Sequence, residues 1–227
     1  MAVMADERRR ATTRTPPVRP RYCRAGSPFG CQCGGVRITD PRDRTAIAPP
    51  PETILIDHPD RPVLRRARVE FADALAGAVA DNLDHLHPWM PWANTESTDP
   101  TFQRERLVGV ESEWDAGNDY QFVLFRDDEV IGSPGVMTRQ GPDTMELGYW
   151  LAERWTGRGI MTTTARALTD YAHAQVRTAM ILCDAANERS NAVARRLGYR
   201  LERTENREPK APAETGTDHI WVLHRDR

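Results

Sequence analysis

The segment that most constrains the fold is an apolar strand that runs into a glycine-containing turn and then into an amphipathic helix. Met145–Leu151 has the composition of the strand, Gly157 and Gly159 lie in the turn, and the helix extends to about Gln175. A second apolar strand, Ala179–Asp184, follows. A strand, a helix and a second strand of these lengths form a crossover unit with parallel strands. The sequence therefore predicts an α/β domain with one parallel strand pair.

The elements around this unit favour antiparallel pairing, because a short turn joins two alternating strands before it. The other predicted elements, in chain order, are strands at Thr53–Ile56 and Val63–Arg66, helices at Glu70–Leu83 and Thr101–Trp114, a hairpin of Tyr120–Phe125 with a strand from Glu129, a helix from Asn187 to Gly198, and strands at Tyr199–Glu202 and His219–His224. Pro134 falls within the second hairpin strand. Because proline donates no ladder hydrogen bond, it predicts an edge or a bulge there.

The first fifty residues have a different composition from the rest of the chain. They contain ten arginines, four acidic residues and seven prolines, and no apolar period lasts ten residues. Such a segment buries too little apolar surface to offset the entropy of ordering. We therefore predict a disordered arm over residues 1–51 and one folded domain over residues 52–227. Binding of acidic partners through Arg8, Arg9 and Arg10 is the alternative interpretation of the arm.

Composition excludes several classes of protein. The formal net charge is -2, which gives no support for a nucleic-acid partner, and no apolar run approaches the ~20 residues that span a bilayer. Cys23, Cys31 and Cys33 lack the paired spacing of a zinc site. The arm also lacks the apolar core of a secretory signal peptide. We therefore expect a cytoplasmic protein without a metal site.

The glycine-containing turn has the properties of an anion site. Glycine permits positive φ and close approach of a ligand to the backbone, and a helix start offers unpaired N–H groups. The turn lacks the Gly-Lys-Ser/Thr of a P-loop. It also lacks G-x-G-x-x-G, since Thr162 stands three residues after Gly159. A pyrophosphate in a ligand other than a nucleoside triphosphate or a dinucleotide is the expected anion.

Arg154-x-x-Gly157-x-Gly159 resembles the R/Q-x-x-G-x-G/A signature of the GNAT acyltransferase superfamily. Three further strings resemble its ribosomal-protein-alanine N-acetyltransferase (Rim-type) branch: Leu86–Trp92, Glu146–Leu151 and Asn187–Tyr199. The resemblance covers residues 52–227. It implies a mixed sheet with an antiparallel first half, a central parallel strand pair that splays apart, and helices on both faces.

The resemblance implies acetyl-CoA as co-substrate, bound between Met145–Leu151 and Ala179–Asp184. Backbone groups near Leu151 and Glu153 would pair with the pantetheine arm. The turn amides and the Arg158 charge would hold the pyrophosphate. The implied cofactor-binding residues are Leu151, Glu153, Arg154, Thr156, Gly157, Arg158, Gly159, Ile160 and Asn187.

The resemblance also nominates groups for the chemistry of acyl transfer to an amine. Glu146 is the implied general base, acting through a water, and a salt-bridged strand glutamate is the alternative. Ser190 is the implied proton donor to the thiolate, while a purely local role in the helix start is the alternative. Tyr199 is a second donor candidate, and we expect it to pack as a corner. Cys183 has the character of a small buried hydrophobe rather than a nucleophile.

The acceptor side is expected at the loop that contains His87, Trp89 and Trp92. In the family this loop borders the acceptor groove, and a packed corner under the first helix is the alternative. The leading acceptor is a protein N-terminal α-amine. A small amine such as an antibiotic or a polyamine, and a non-catalytic CoA-binding module, are the rival functions. Association into a homodimer is a further possibility that the sequence leaves open.

Overall fold

The structure, a computed structural model, describes residues 47–225. Eight strands in this range form one sheet in the order β1-β2-β3-β4-β5-β6-β8-β7, and only β5 and β6 pair in parallel. The strands are β1 Thr53–Leu55, β2 Val63–Arg66, β3 Asp119–Arg126, β4 Glu129–Met137, β5 Thr144–Leu151, β6 Thr178–Asp184, β7 Arg200–Asn206 and β8 Thr217–His224. The helices are α1 Ala72–Ala80, α2 Leu83–Leu86, α3 Pro100–Asp115, α4 Ile160–Gln175 and α5 Glu188–Arg196.

Helices cover both faces of the sheet, and each face has its own apolar core. Leu75 of α1 and Leu107 of α3 pack with Val123 of β3 on one face. Ile160 and Leu168 of α4 pack on the other face, in the same core as α5. Alternating strand residues supply the two cores because successive side chains point to opposite faces. The predicted fold class is confirmed.

The packed chain begins before the predicted boundary at residue 52. The Tyr171 hydroxyl donates to the Ala48 carbonyl at 2.8 Å, and the Ala48 N–H donates to the Gln175 side chain at 3.0 Å. Pro50 is buried. Residues 47–51 therefore lie against α4, although the sequence assigned them to the arm. The remainder of the predicted arm is outside the described residues.

Pro134 lies in a central strand, so the predicted edge is wrong. Strand β4 pairs with β3 on one side and with β5 on the other, where Pro134 faces Tyr149. The neighbouring Ser133 hydroxyl donates to the Phe122 carbonyl at 2.6 Å. This side-chain donor compensates for the N–H that proline lacks. A bulge does occur in this strand pair, next to Leu124.

Strands β5 and β6 pair over four residues and then separate. Their pairing runs from Thr144–Thr178 to Leu147–Ile181. Beyond that point β5 continues against β4 as far as Leu151, and β6 continues against β8 as far as Asp184. The separation therefore leaves both strands fully paired on their outer sides. It opens a gap between the C-terminal halves of two central strands, which matches the predicted splayed strand pair.

A buried asparagine fixes the corner where β6 leads into α5. Asn191 is fully buried, and its side-chain oxygen accepts from Trp221 at 2.9 Å and from His219 at 2.8 Å. Its amide nitrogen donates to three backbone carbonyls, those of Asp184, Ala185 and Asn187. One side chain thus satisfies groups from β6, β8 and the connecting loop, and it sets the position of the first turn of α5.

We predict that Asn191→Ala lowers the free energy of unfolding by about 3 kcal/mol, because several buried donors and acceptors lose their partner together. Chemical denaturation of the purified protein measures this change. Asn206→Ala, at an exposed position of β7, is the control and should cost less than about 0.5 kcal/mol. Equal effects of the two substitutions would contradict the structural role of Asn191.

Candidate active site

Two cavities open on either side of the point where β5 and β6 separate. The glycine-turn cavity, about 1360 Å³, lies between residues 156–163 and the start of α5. The sheet cavity, about 640 Å³, lies over the middle of β3 to β6. The residues that line both cavities are Trp89, Met90, Tyr149, Trp150, Asn187 and Ser190. The two cavities therefore meet beside the strand gap.

The glycine turn presents a row of unbonded backbone N–H groups to its cavity. Gly157 and Gly159 both have positive φ, 75° and 86°, and a Cβ at Gly157 would meet no atom within 4 Å. Within residues 47–225 no hydrogen bond engages the N–H groups of residues 157–159. The first three residues of α4 have no intrahelical acceptor for their N–H groups. This cradle, with the positive end of the helix dipole, fits a pyrophosphate.

A histidine from the β1–β2 connection holds this turn. The Asp60 N–H donates to Nδ1 of His58 at 3.1 Å, so Nε2 carries the proton and donates to the Arg158 carbonyl at 2.9 Å. The ring lies 3.7 Å from the position that a Cβ on Gly159 would take. His58 therefore orients the peptide unit between the two glycines.

The predicted cofactor residues divide into those that line the glycine-turn cavity and one that does not. The residues that line it are Leu151, Glu153, Thr156, Gly157, Arg158, Gly159, Ile160 and Asn187. Arg154 does not line it, because its guanidinium is ion-paired with Glu129. The Glu153 N–H also differs from expectation, since it donates to the Asn82 side chain at 2.8 Å and is not free for pantetheine. The Arg158 guanidinium stacks on Trp155, 4.7 Å from the ring centroid.

A tyrosine and a serine meet at the junction of the two cavities. The hydroxyls of Tyr149 and Ser190 are 3.1 Å apart, and Asn187 caps α5 by accepting from the Ser190 N–H at 3.1 Å. Burial raises the pKa of Tyr149, so the phenol keeps its proton at neutral pH. Ser190 therefore takes part in the cap of α5 through its N–H, and it also lines both cavities.

Tyr199 has the packing role that we expected, whereas Cys183 is only partly buried. Tyr199 is buried in the core, where its hydroxyl bonds Thr169 at 2.7 Å, and it lines neither cavity. Cys183 lines the sheet cavity, and its thiol donates to Asn191 at 3.5 Å. Burial raises the pKa of Cys183 to about 11, so the thiol is almost entirely protonated at neutral pH. A nucleophilic thiolate at this position is disfavoured.

Glu146 faces the sheet cavity with a carboxylate that is already hydrogen-bonded. Its residue surface is 4% exposed. Arg139 donates through Nε to one carboxylate oxygen at 3.0 Å and through Nη2 to the other, and Gln140 adds a third hydrogen bond. The salt bridge that the alternative interpretation of Glu146 expects is therefore present, with Arg139 as the partner. The carboxylate lies in the same cavity as Tyr149 and Ser190.

The loop before α3 forms an aromatic wall of the sheet cavity. Trp89 lines both cavities, and Trp92, 42% exposed, lies 6.4 Å from the Trp150 ring. His87 lines neither cavity, because its ring donates to the Ala93 carbonyl at 2.8 Å and closes the loop. The neighbouring His85 lines the glycine-turn cavity instead, and burial lowers its pKa.

The segment between β7 and β8 closes the other side of the sheet cavity. Arg207 forms a bidentate ion pair with Glu214, with both distances 2.8 Å, and donates to Asp218 at 2.7 Å. The Ala213 N–H donates to the Pro88 carbonyl at 2.9 Å and joins this segment to the aromatic loop. The sheet cavity therefore has charged walls on one side and aromatic walls on the other.

Sequence reasoning missed His58, Arg139, Gln140 and Tyr149 as site residues. His58 is 100 residues away from the carbonyl that it holds, so no local spacing indicates it. Tyr149 stands within the quoted family string, but its strand position alone does not indicate a site residue, because it points to the opposite face of β5 from Glu146. No cluster of three or more metal-ligating side chains occurs in residues 47–225. No helix in the same range has the length and apolarity to cross a bilayer.

Comparison with known proteins decides the family. The GNAT acetyltransferase domain family matches residues 61–200. The chain belongs to the GNAT acetyltransferase family. It is an enzyme that uses acetyl-CoA as the acetyl donor, and the resemblance inferred from its motifs is confirmed. The unbonded N–H groups at the glycine turn and the gap between β5 and β6 fit the pyrophosphate and the amide-rich arm of this co-substrate.

Two relatives from Escherichia coli are ribosomal-protein acetyltransferases. The chain is 40% identical over 85 residues to the ribosomal-protein-serine acetyltransferase of Escherichia coli, a match that covers 36% of this chain and 47% of that protein. It is 28% identical over 149 residues to the [ribosomal protein uS5]-alanine N-acetyltransferase of the same species, covering 63% of this chain and 77% of that one.

Solved structures agree on the fold. RimL, described as a ribosomal L7/L12 alpha-N-protein acetyltransferase in complex with coenzyme A, superposes with a TM-score of 0.68 at 25% identity, covering 75% of this chain and 98% of that chain. The ribosomal-protein-S5-alanine acetyltransferase of Vibrio fischeri has a TM-score of 0.69 at 21% identity, covering 77% of this chain and 97% of that chain.

We predict that His58→Ala raises the Kd for CoA about fivefold, because the turn loses the hydrogen bond that orients its central peptide unit. Isothermal titration calorimetry with CoA measures the change. His58→Gln retains an N–H donor at the same end of the side chain and should stay within about twofold of the unmodified protein. An unchanged Kd for His58→Ala would show that the turn holds its conformation without this contact.

Proposed function

We propose that this enzyme acetylates the N-terminal α-amine of a protein by direct attack of the amine on acetyl-CoA in a ternary complex. The meeting of the two cavities at Tyr149 and Ser190 is the observation that carries the proposal. It allows the donor and the acceptor to approach one point from opposite sides of the strand gap. The assigned names of the relatives support a ribosomal-protein acceptor.

The glycine-turn cavity takes the donor in this proposal. N–H groups of residues 157–162 bind the pyrophosphate, and His58 fixes the turn that presents them. Backbone groups of β5 beyond Leu147, which have no partner on β6 within the described sheet, pair with the amides of the pantetheine arm. Acetyl-CoA supplies the activated thioester. The protein itself positions this thioester and supplies hydrogen bonds to the rest of the co-substrate.

Proton transfer is assigned to groups around the junction of the cavities. The attacking amine must be neutral, because an ammonium has no lone pair. We assign proton removal to Glu146 acting through a water, with Arg139 and Gln140 fixing the carboxylate. The leaving thiolate receives a proton from Ser190, whose hydroxyl is hydrogen-bonded to the phenol of Tyr149, and the proton released by the amine returns through water to Ser190. A backbone N–H near Trp150 stabilises the tetrahedral oxyanion.

Direct attack is favoured over a covalent acyl-cysteine route. Cys183 is the cysteine nearest to the junction within the described residues, and the raised pKa of its thiol removes the nucleophilic form. The proposed reaction takes place in the cytoplasm, where the proposed acceptors are synthesised. Association into a homodimer stays a prediction.

We predict that the purified protein, given acetyl-CoA and a panel of ribosomal-protein N-terminal peptides, adds one acetyl group to the α-amine of at least one peptide. Intact-mass spectrometry with fragmentation locates the acetyl group, and release of free CoA gives the rate. Peptides with a blocked α-amine and a free lysine are the control. The α-amine should react and the lysine should not.

Other outcomes separate the rival functions. Acetylation of polyamines or aminoglycosides, with no acetylation of any peptide, would favour the small-amine acetyltransferase. Binding of CoA without turnover on any amine would favour a non-catalytic CoA-binding module. Either result would contradict the proposed acceptor. The family would stand in both cases, and the role of acetyl-CoA as donor would stand only in the first.

We predict that Ser190→Ala and Glu146→Gln each lower kcat by about 10- to 1000-fold, because each removes a proton-transfer group. Steady-state kinetics on the best peptide measure kcat and KM separately, and KM for acetyl-CoA should change little. Cys183→Ala is the control for the covalent route and should keep most of the turnover. Loss of turnover in Cys183→Ala with retained turnover in Ser190→Ala would reverse the assignment.

A further inference from the structure

One arginine in the sheet cavity has no acidic partner. Arg106 of α3 is partly buried and lines this cavity. No carboxylate among residues 47–225 lies within ion-pair distance of its guanidinium. Arg66 is the contrast, since two carboxylates, Glu52 and Asp115, pair with it. Burial lowers the pKa of Arg106, because a guanidinium removed from water loses hydration.

Two glutamines hold this arginine in one orientation. Its Nε donates to Gln103 at 2.9 Å, and its Nη1 donates to Gln121 at 3.1 Å. The amide nitrogens of both glutamines are used elsewhere, Gln103 on the Ser97 carbonyl at 2.6 Å and Gln121 on the Ser133 hydroxyl at 3.0 Å. Both side-chain oxygens are therefore fixed toward the guanidinium. The glutamines position the charge, but they do not neutralise it.

The second terminal nitrogen of Arg106 remains available. Nη2 has no hydrogen-bond partner within residues 47–225. A charged group in a cavity is stabilised most by an opposite charge with matching hydrogen bonds, and a guanidinium matches a carboxylate. An oriented, partly desolvated guanidinium with a free N–H pair is thus a binding position for an anion that the chain itself does not supply.

The position of Arg106 relative to the acidic groups suggests how a ligand would lie. Asp119 is paired with Met137, and Met137 with Glu146, so these three side chains share one row across the sheet. Gln121, which holds Arg106, is two residues from Asp119 along the same strand, or about 7 Å, and Glu146 is two strands from Asp119, or about 10 Å. The backbone positions of Glu146 and Gln121 are therefore about 12 Å apart on one face of the sheet.

We propose that Arg106 recognises an acidic side chain at the second or third position of the acceptor peptide, while the α-amine lies toward Glu146. This inference rests on the proposed function and makes it more specific. An extended peptide rises about 3.4 Å per residue, so its third residue lies about 7 Å from the amine, and the side chains of that residue, Glu146 and Arg106 cover the rest of the span. Acceptors with a neutral side chain at that position leave the guanidinium without an acidic partner.

The test measures binding separately from turnover. Pairs of acetylated product peptides, identical except for Glu or Gln at position 2 or 3, are titrated calorimetrically into the protein saturated with CoA. We expect the Glu peptide of one pair to bind about tenfold more tightly, as a charged hydrogen bond contributes more than a neutral one. Equal Kd values in both pairs would overturn the inference, even where acetylation of peptides is observed.

Two variants test whether Arg106 causes the preference. Arg106→Met removes the charge and keeps the length of the side chain, and Gln121→Glu places a carboxylate against the guanidinium without removing it. Both should make the Glu and Gln peptides bind equally. Arg104→Met is the matched control, since Arg104 lies on the same helix but is exposed and ion-paired with Asp73. A preference that persists in Gln121→Glu would overturn the role of Arg106 whether or not Arg106→Met folds.

Further arms separate this inference from the proposed function. Turnover of the matching unacetylated peptides is followed by CoA release. Discrimination in binding without turnover on any peptide would support the anion position and contradict the proposed acetylation. A preference for a free amino acid over its amide, with none between the peptides, would assign the guanidinium to a small acceptor and contradict the peptide inference.

Discussion

The separation of β5 from β6 after Leu147 and Ile181 is the constraint on which the active site depends. Each strand keeps a full ladder with its outer neighbour, β4 or β8, so the sheet tolerates the gap. The backbone groups that face the gap have no partner on the other strand of the pair, so they are open to a ligand. In the proposed function, the amide-rich arm of acetyl-CoA pairs with these groups, and the glycine turn binds the pyrophosphate of the same ligand.

The two cavities have different chemical character, and this difference assigns one substrate to each. The glycine-turn cavity is built from N–H groups, a helix N-terminus and Arg158, which suits phosphates. The sheet cavity holds carboxylates, aromatic rings and Arg106, which suits an amine with neighbouring polar groups. Burial keeps Tyr149 and Cys183 protonated at the junction, so a proton donor is present there and a thiolate nucleophile is not.

Features set by neighbouring residues were predictable from the sequence, and features set by distant packing were not. The glycine turn and the Asn187 cap depend on residues a few positions apart, and the pattern indicates both. His58 and Arg106 join the site across the fold, so no spacing identifies them. The error at Pro134 has a similar origin, because the hydroxyl of Ser133 replaces the missing donor. His87 was predicted at the acceptor side and closes its loop instead, while His85 of α2 lines a cavity, because the pattern does not show which side of a four-residue helix faces the cavity.

Hydrogen–deuterium exchange with and without CoA tests most directly whether the strand gap and the glycine turn together hold the donor. The account predicts slower exchange on CoA addition at the amides of residues 148–151 and 157–162, with little change in β1 and β2. Protection confined to the sheet cavity, or no protection in either segment at saturating CoA, would contradict it.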